Sequence, residues 1–136
     1  MLRLIAAYGS SAIAMLALDV VWLTLMGDRL YRPVLGDWMR SRADLGAAGA
    51  FYFIFLFGLI FLAVVPALNE QSWSRAAING AVFGFVAYAT YDLTNQATLT
   101  RWSLHITLID MAWGTFISVV TALAGYFGSR LLVRQG

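Results

Sequence analysis

The sequence predicts an all-α fold: an integral membrane four-helix bundle with a short interfacial amphipathic helix between its first two spans. Of the 136 residues, 61% are hydrophobic and 12% are charged, and the mean hydropathy of +0.76 is that of a membrane protein. Four apolar runs are each long enough to cross a bilayer, which takes about 20 helical residues. They lie at about 2–26, 45–68, 75–99 and 104–129. Because little sequence remains outside them, residues 1–136 are predicted to form a single four-span domain.

The first run begins like a signal peptide, with an arginine at position 3 followed by apolar residues. No small-residue cleavage site follows, and the run continues past Asp19 to Met26, so we expect a retained first span. The loop after it, residues 27–43, carries apolar side chains at helical spacing among arginines, and Pro33 suits a first helical turn. This pattern predicts an amphipathic helix in the interface, partly covering the site of Asp19, although a plain connector fits equally well. The apolar positions are Tyr31, Val34, Leu35, Trp38 and Met39.

The second run contains no ionisable residue and is aromatic on all sides, with Asp44 as a predicted N-cap. The third run has Gly80 and Gly84 four residues apart, a spacing that permits close helix approach. Its polar residues continue the same face: Tyr88, Tyr91, Asp92 and Asn95. The fourth run, capped by Ser103 or Thr100, begins with polar and aromatic residues and continues with small ones. These are Asp110, Trp113 and Gly114, then Ser118, Thr121, Gly125 and Gly128.

Four spans place both chain termini on one side of the membrane and leave the arginines divided almost evenly, so the orientation stays open. Counting at about 1.5 Å per residue puts Asp19, Asp92 and Asp110 at one depth, roughly 10 Å below the opposite surface. Leu18-Asp19-Val20-Val21-Trp22 is echoed by Ile109-Asp110-Met111-Ala112-Trp113, although two short matches do not establish a repeat.

The tryptophans divide by position along the spans. Trp38, Trp73 and Trp102 are predicted to lie in the aromatic belt at the membrane surface, and Trp22 is close enough to that surface to join them. Trp113 is deeper and is predicted to pack in the core or to form a pocket wall. His105, alone at a span end, is interpreted as incidental.

Composition excludes several classes of function. Without cysteine there are no disulfides or thiolate metal sites, and without lysine there is no lysine Schiff base. Nine arginines, mostly at span ends and in loops, suit lipid headgroups and do not indicate nucleic acid. No nucleotide-binding loop, hydrolase elbow or HExxH motif is present. No metal and no cofactor are predicted.

Two motifs resemble a known family. Tyr88-Ala-Thr-Tyr-Asp-Leu-Thr-Asn-Gln-Ala-Thr-Leu99, followed by Asp110-Met-Ala-Trp-Gly114, resembles a bacterial family of predicted membrane proteins, domain of unknown function 2177. Asp19-x-x-Trp22-Leu23 and Tyr31-x-x-x-Leu35-Gly36 fit the same pattern, so the resemblance covers nearly the whole chain. It implies a small multi-pass protein of the bacterial inner membrane, and it brings no established activity, substrate or cofactor.

Asp19, Asp92 and Asp110 are the candidate catalytic residues. Placing an ionised carboxylate in the bilayer interior costs at least about 2.5–3.5 kcal/mol of free energy, so three of them together suggest a function. Some of them must therefore be protonated or balanced by a cation. The candidate binding residues surround them: Asn95, Tyr91, Tyr88, Trp113 and Trp22.

Three functions fit this cluster. The first is a pocket for a membrane lipid or an isoprenoid-like apolar molecule, in which carboxyls move protons and aromatic faces stabilise positive charge. The second is a small proton- or cation-coupled transporter, as a homodimer, since four short spans enclose little pathway. The third is a structural or assembly subunit in which the aspartates only tie helices together.

Overall fold

The computed structural model describes residues 1–134, and these residues are almost entirely helical, with no strand among them. The helices are α1 (Leu2–Met26), α2 (Arg32–Leu35), α3 (Leu45–Leu59), α4 (Val65–Glu70), α5 (Trp73–Thr98) and α6 (Leu104–Arg134). A π-helical turn, Gly27–Tyr31, joins α1 to α2, and another, Ile60–Val64, joins α3 to α4. A 3₁₀ turn, Gly36–Trp38, ends the first helical segment. The chain therefore forms four long helical segments, as the apolar runs predict.

Three of these segments are long and apolar enough to cross a membrane: Leu2–Trp38, Leu45–Glu70 and Leu104–Val133. The fourth, α5, has 26 residues, which is sufficient length, but it is less apolar than the others. Its polar side chains include Arg75, Asn79, Asp92, Asn95 and Gln96. The prediction of a fourth span at α5 therefore stays a prediction.

The helix starts follow the predicted caps. Asp44 Oδ1 accepts a hydrogen bond from the Ala47 backbone N–H at 3.1 Å, and Ser103 Oγ accepts one from Ile106 at 3.2 Å. Both satisfy a donor that the first helical turn leaves unpaired. Ser72 caps α5 in the same way, so this helix begins two residues before the predicted start at residue 75.

Each π-helical turn ends two residues before a proline, Pro33 or Pro66. Proline lacks an N–H, and its ring clashes with the carbonyl four residues earlier, so the helix must widen or break there. The carbonyl of Leu62, four residues before Pro66, instead accepts a hydrogen bond from Asn79 Nδ2 of α5 at 3.0 Å. At the other proline, the predicted short helix is present as α2, with Pro33 in its first turn. The wide turn joins it to α1 without interruption, so α2 continues the helical path of α1.

Close packing of α5 on α6 depends on the predicted glycine stripe. A Cβ atom at Gly84 would lie 2.5 Å from the Gly114 carbonyl oxygen, and one at Gly80 would lie 2.9 Å from Ala122 Cβ. Neither distance leaves room for a side chain. The two glycines thus fix both the separation and the rotation of these helices, which aims Asp92 at α6.

Helices α1 and α6 run antiparallel with a constant register. Ser11 Oγ donates to the Thr121 carbonyl at 3.0 Å, and Ser129 Oγ donates to the Arg3 carbonyl at 3.0 Å. In both pairs the residue numbers add to 132. The same register brings Asp19 opposite Trp113 and Trp22 opposite Asp110.

The apolar core has two parts. The larger lies between the four long segments and includes Met15, Leu59, Ile117 and Tyr126, all at most 1% exposed. The smaller lies where α2 covers the start of α6, around Leu30, Trp102 and Ile106. Trp102 is 8% exposed and its indole N–H donates to Thr107 Oγ1 at 3.0 Å. The belt prediction for Trp102 is therefore wrong, because α2 folds over its ring; Trp38 and Trp73 are exposed.

Candidate functional site

A cavity of about 630 Å³ lies between α1, α3, α5 and α6, beside the turns that follow α1. Most of its wall is apolar or aromatic, and the acidic side chains among its lining residues in the described part of the chain are Asp19 and Asp110. The aromatic members are Trp22, Tyr31, Phe51, Tyr52, Phe55, Tyr88, Tyr91 and Trp113. The cavity therefore combines a large apolar volume with a small acidic end.

The cavity reaches the outer surface of the bundle at three helices. Leu23 of α1, Phe51 of α3 and Tyr91 of α5 all line it, and they remain 54%, 45% and 56% exposed. Leu35 and Met39, from the segment after α1, also line the cavity. A molecule that enters past Leu23 and Phe51 meets apolar side chains before it reaches a carboxyl group.

Asp19 joins three helices. It is 8% exposed, and its Oδ2 accepts the Tyr52 hydroxyl of α3 at 2.5 Å. Its Oδ1 accepts the indole N–H of Trp113, from α6, at 3.3 Å. Both donors are neutral, so the hydrogen bonds stabilise the carboxyl without cancelling a negative charge.

Asp110 is held in a similar way from the other side. It is 6% exposed, and its Oδ1 accepts the hydroxyl of Tyr31, from the turn after α1. That hydroxyl in turn accepts the indole N–H of Trp22 at 3.1 Å. The turn that follows α1 therefore supplies a site residue as well as covering the cavity.

The two Asp-x-x-Trp segments form matched halves of one site. The indoles of Trp22 and Trp113 stack with ring centroids 4.3 Å apart and planes 8° from parallel. Each carboxyl accepts one tyrosine hydroxyl, and each indole N–H belongs to the hydrogen-bond network of the other helix's aspartate. Trp113 reaches Asp19 directly, whereas Trp22 reaches Asp110 through Tyr31. The echo in the sequence thus corresponds to an approximate local two-fold arrangement of α1 and α6. The sequence position of Trp22 is compatible with the aromatic belt at the membrane surface, but in the structure its ring belongs to this stacked pair.

Asp92 occupies a different position from the other two aspartates. It is fully buried and does not line the cavity. Its carboxyl lies against that of Asp110. Within residues 1–134, neither of its oxygens meets a hydrogen-bond donor. Asp92 therefore supports Asp110 from behind and has no direct access to a molecule in the cavity.

No basic side chain balances these carboxyls within the described part of the chain. The ion pairs found there are Arg32–Asp28 at 2.6 Å, Arg40–Asp44 at 4.0 Å and Arg75–Glu70 at 3.2 Å, all at exposed positions. Arg101 lies over the ring of Trp38, 5.0 Å from its centroid. Over the same residues, no group of three or more His, Cys, Asp or Glu is arranged to hold a metal ion.

Two further tyrosines complete the wall. The ring of Tyr88 packs directly on Gly114, where any Cβ would overlap it, and meets Phe55 edge-on at 6.2 Å. Tyr91 lines the cavity and contacts Trp102 edge-on at 5.5 Å. Asn95, one turn further along α5, does not line the cavity. His105 is exposed and is not among the lining residues either.

Of the predicted site residues, the structure brings Asp19, Asp110, Trp22, Trp113, Tyr88 and Tyr91 to the cavity. It places Asp92 behind Asp110 and Asn95 outside the lining. Sequence reasoning missed Tyr31 and Tyr52 as ligands of the carboxyls. Tyr52 lies seven residues after the start of α3, and Asp19 lies seven residues before the end of α1. The two residues are therefore at the same depth, and this count is the sequence signal that identifies Tyr52. No comparable count applies to Tyr31.

Comparison with known proteins assigns the chain to a family. The family model described as "Predicted membrane protein (DUF2177)" matches residues 4–127. The chain belongs to this family. Every lining residue of the cavity in this DUF2177 protein lies inside the matched region, and the predicted family is confirmed. The chain is thus a membrane protein. No curated protein and no solved structure matches the chain.

Proposed function

We propose that this protein binds a lipid or an isoprenoid-like apolar molecule in the cavity, with its polar end at Asp19 and Asp110. The observation that carries this proposal is a cavity of about 630 Å³ with a mostly apolar and aromatic wall, whose lining residues Leu23 and Phe51 are exposed on the outer surface of the bundle. This volume is within the range of small-molecule sites, about 300–1,000 Å³. An apolar molecule dissolved in the bilayer reaches Leu23 and Phe51 without passing through water.

The proposal includes α5 as a fourth span in the bacterial inner membrane, with both termini on one side. The exposed threonines of α5 donate to carbonyls within their own helix, as Thr90 does to Val86 at 2.7 Å and Thr98 does to Thr94 at 2.8 Å. Their hydroxyls therefore need no water, which makes them compatible with lipid. With this topology the cavity lies in the membrane half opposite the termini.

The chemistry best suited to the cavity is proton transfer to or from the bound molecule. Asp110 and Asp92 lie in contact without a cation, an arrangement that favours one proton shared between them. The surrounding aromatic faces stabilise positive charge that develops on an apolar substrate. Asp19 and Asp110 are the groups in reach of such a substrate, and Tyr31 and Tyr52 hold them in position.

The test compares small molecules that co-purify with the full chain in lipid nanodiscs, measured by mass spectrometry. Ala87 lines the cavity, so Ala87→Phe fills part of it, whereas Ala17→Phe adds the same ring to an exposed position of α1. We expect a specific apolar molecule with the wild type and with Ala17→Phe, and its loss from Ala87→Phe. Identical, bulk-like lipid profiles in all three would contradict the proposal.

Two alternatives have observations in their favour. Three carboxyls without a basic partner in residues 1–134 suit a proton- or cation-coupled transporter, as a homodimer. Substrate-dependent proton flux in proteoliposomes would support it. The bonds of Asp19 to α3 and α6 suit a structural or assembly subunit. In that case Asp19→Asn lowers the folded yield, and no molecule is specifically bound.

A further inference from the structure

The acidic end of the cavity contains two carboxyl groups, and no basic side chain of the described residues lines the cavity. Asp19 and Asp110 are 8% and 6% exposed and both form part of the cavity wall. The donors that reach them are two tyrosine hydroxyls and an indole N–H, which are neutral. A buried carboxylate without a cation is unfavourable, so a positive charge entering the cavity is stabilised there.

We propose that the molecule bound in this cavity is an amphiphile with an alkylammonium head, which sits against Asp19, Asp110 and the flanking aromatic faces. This inference rests on the proposed function and narrows it to a class of ligand. The apolar chain of the amphiphile would lie toward Leu23 and Phe51.

The aromatic wall supports a cationic head independently of the carboxyls. Tyr88 and the stacked pair Trp22 and Trp113 line the same end of the cavity as the two aspartates. Aromatic faces attract ammonium groups through their quadrupole, and tryptophan does so most strongly. An ammonium also has three N–H donors, which the free lone pairs of the carboxyls can accept.

Asp92 adds a third carboxyl group next to the acidic end of the cavity. It is 0% exposed, lies against Asp110, and both of its oxygens lack a donor within residues 1–134. A cation beside Asp110 would therefore lie next to two carboxyl groups, and no ion pair found in residues 1–134 supplies such a cation.

Other ligand classes fit less well. A phosphate or carboxylate head would meet two carboxyls and none of the arginines, which are absent from the cavity wall. A divalent metal requires several oxygen ligands around one point, and the described residues contain no such group of acidic side chains. An alcohol head would leave the negative charge unbalanced.

The experiment uses three probes with the same chain: octadecylamine, octadecanol and octadecanoate. Each is titrated near neutral pH into the full protein in phosphatidylcholine nanodiscs, and native mass spectrometry gives the bound fraction. Empty nanodiscs and Ala87→Phe correct for partition into lipid. We expect the amine to bind at least about tenfold more tightly than the alcohol, and the acid to bind most weakly.

Variants test whether the carboxyls cause this preference. Asp19→Asn and Asp110→Asn should each reduce the ratio of amine to alcohol affinity by about tenfold. Octadecanol binding that remains tighter than in Ala87→Phe shows that the cavity of the variant is intact. Asp37→Asn removes an exposed carboxyl from the same end of the molecule and should change neither the ratio nor octadecanol binding. Equal binding of all three probes in the wild type would overturn the ammonium head and leave the apolar pocket standing. If no probe distinguishes the wild type from Ala87→Phe, both proposals fail.

Discussion

Two of the four tyrosines that line the cavity each donate a hydrogen bond to one carboxyl group. Tyr52 brings α3 to Asp19 with a 2.5 Å bond, and Tyr31 brings the turn after α1 to Asp110. A hydrogen bond to a charged group contributes about 1.5–3 kcal/mol, more than a bond between neutral groups. These two hydroxyls therefore determine where the carboxyl oxygens point, and they do so from segments that carry no charge of their own within the cavity.

Removing one hydroxyl tests this at a single residue. Tyr52→Phe should lower the free energy of unfolding by about 1–3 kcal/mol, because Asp19 loses a donor while the ring still fills its place. Tyr8→Phe is the matched control, since its hydroxyl donates to the Phe53 carbonyl at 3.3 Å in an exposed position. Denaturation of both variants in the same detergent gives the comparison. If the two substitutions lower the free energy of unfolding equally, the hydrogen bond to Asp19 contributes no more than an exposed hydrogen bond to a backbone carbonyl.

Asp92→Asn should behave differently from an ordinary buried substitution. The new amide has two N–H donors, and one of them can pair with the Asp110 carboxyl that Asp92 now faces without a donor. We expect the unfolding midpoint in detergent to equal or exceed that of the wild type. If the variant instead lowers the free energy of unfolding by more than about 2 kcal/mol, the Asp92 carboxyl itself stabilises the fold.

Sequence reasoning found the three aspartates because intramembrane carboxyls are rare, but it could not rank them. Counting along the spans gives depth and does not give the direction of a side chain around its helix. The contact of Gly80 and Gly84 with α6 sets that direction for Asp92 and turns it away from the cavity. Asn95 lies on the predicted polar face of α5, but it does not line the cavity.

Among the helical elements, Pro33 and Pro66 each follow a π-helical turn, but the surroundings of the two prolines differ. The carbonyl of Leu62 receives its replacement donor from Asn79 on another helix. The connection between α3 and α4 thus depends on α5. The sequence predicts the length of these elements well, because length and hydropathy are local properties. It does not predict that α1 continues past Pro33, since a proline suits the start of a new helix equally well.

A double substitution measures the dependence of this connection on α5. Asn79→Leu leaves the Leu62 carbonyl without a side-chain donor and should cost about 1–3 kcal/mol of unfolding free energy. Pro66→Ala returns a backbone N–H near the same carbonyl, so Asn79→Leu should cost clearly less in that background. Unfolding of the two single variants and the double variant gives the coupling energy. Additive effects would show that Asn79 does not replace the missing donor.

Across the whole molecule, α6 is the helix against which the others are arranged. Glycines bring α5 to it on one side, and Gly125, where a Cβ would lie 3.2 Å from Val64 and 3.3 Å from the Ala7 carbonyl, admits its other neighbours. Small residues at four-residue spacing indicate such contacts in a sequence but do not identify the partner helix. The order of packing around α6 was therefore not predictable, although the number of long helical segments was.

Gly84→Ala tests this arrangement. The added Cβ overlaps the Gly114 carbonyl and the Ser118 side chain, so we expect a loss of about 1–3 kcal/mol from overpacking. Gly9→Ala is the control, because nothing lies within 4 Å of its added Cβ, and it should raise helix stability by about 0.5–1 kcal/mol. The unfolding midpoints of the two variants should therefore move in opposite directions. A Gly84→Ala midpoint at or above that of the wild type would rule out tight α5–α6 contact.

The stacked indoles of Trp22 and Trp113 also give the protein an optical property. At a centroid separation of 4.3 Å, the electronic transitions of two rings couple, so the pair absorbs as one chromophore. Its near-ultraviolet circular dichroism then depends on the angle and distance between the rings, and phenylalanine at either position removes it. The three other tryptophans lie outside the pair. The cavity thus contains an intrinsic probe, and the approach of a molecule to the two aspartates can be followed in unlabelled protein.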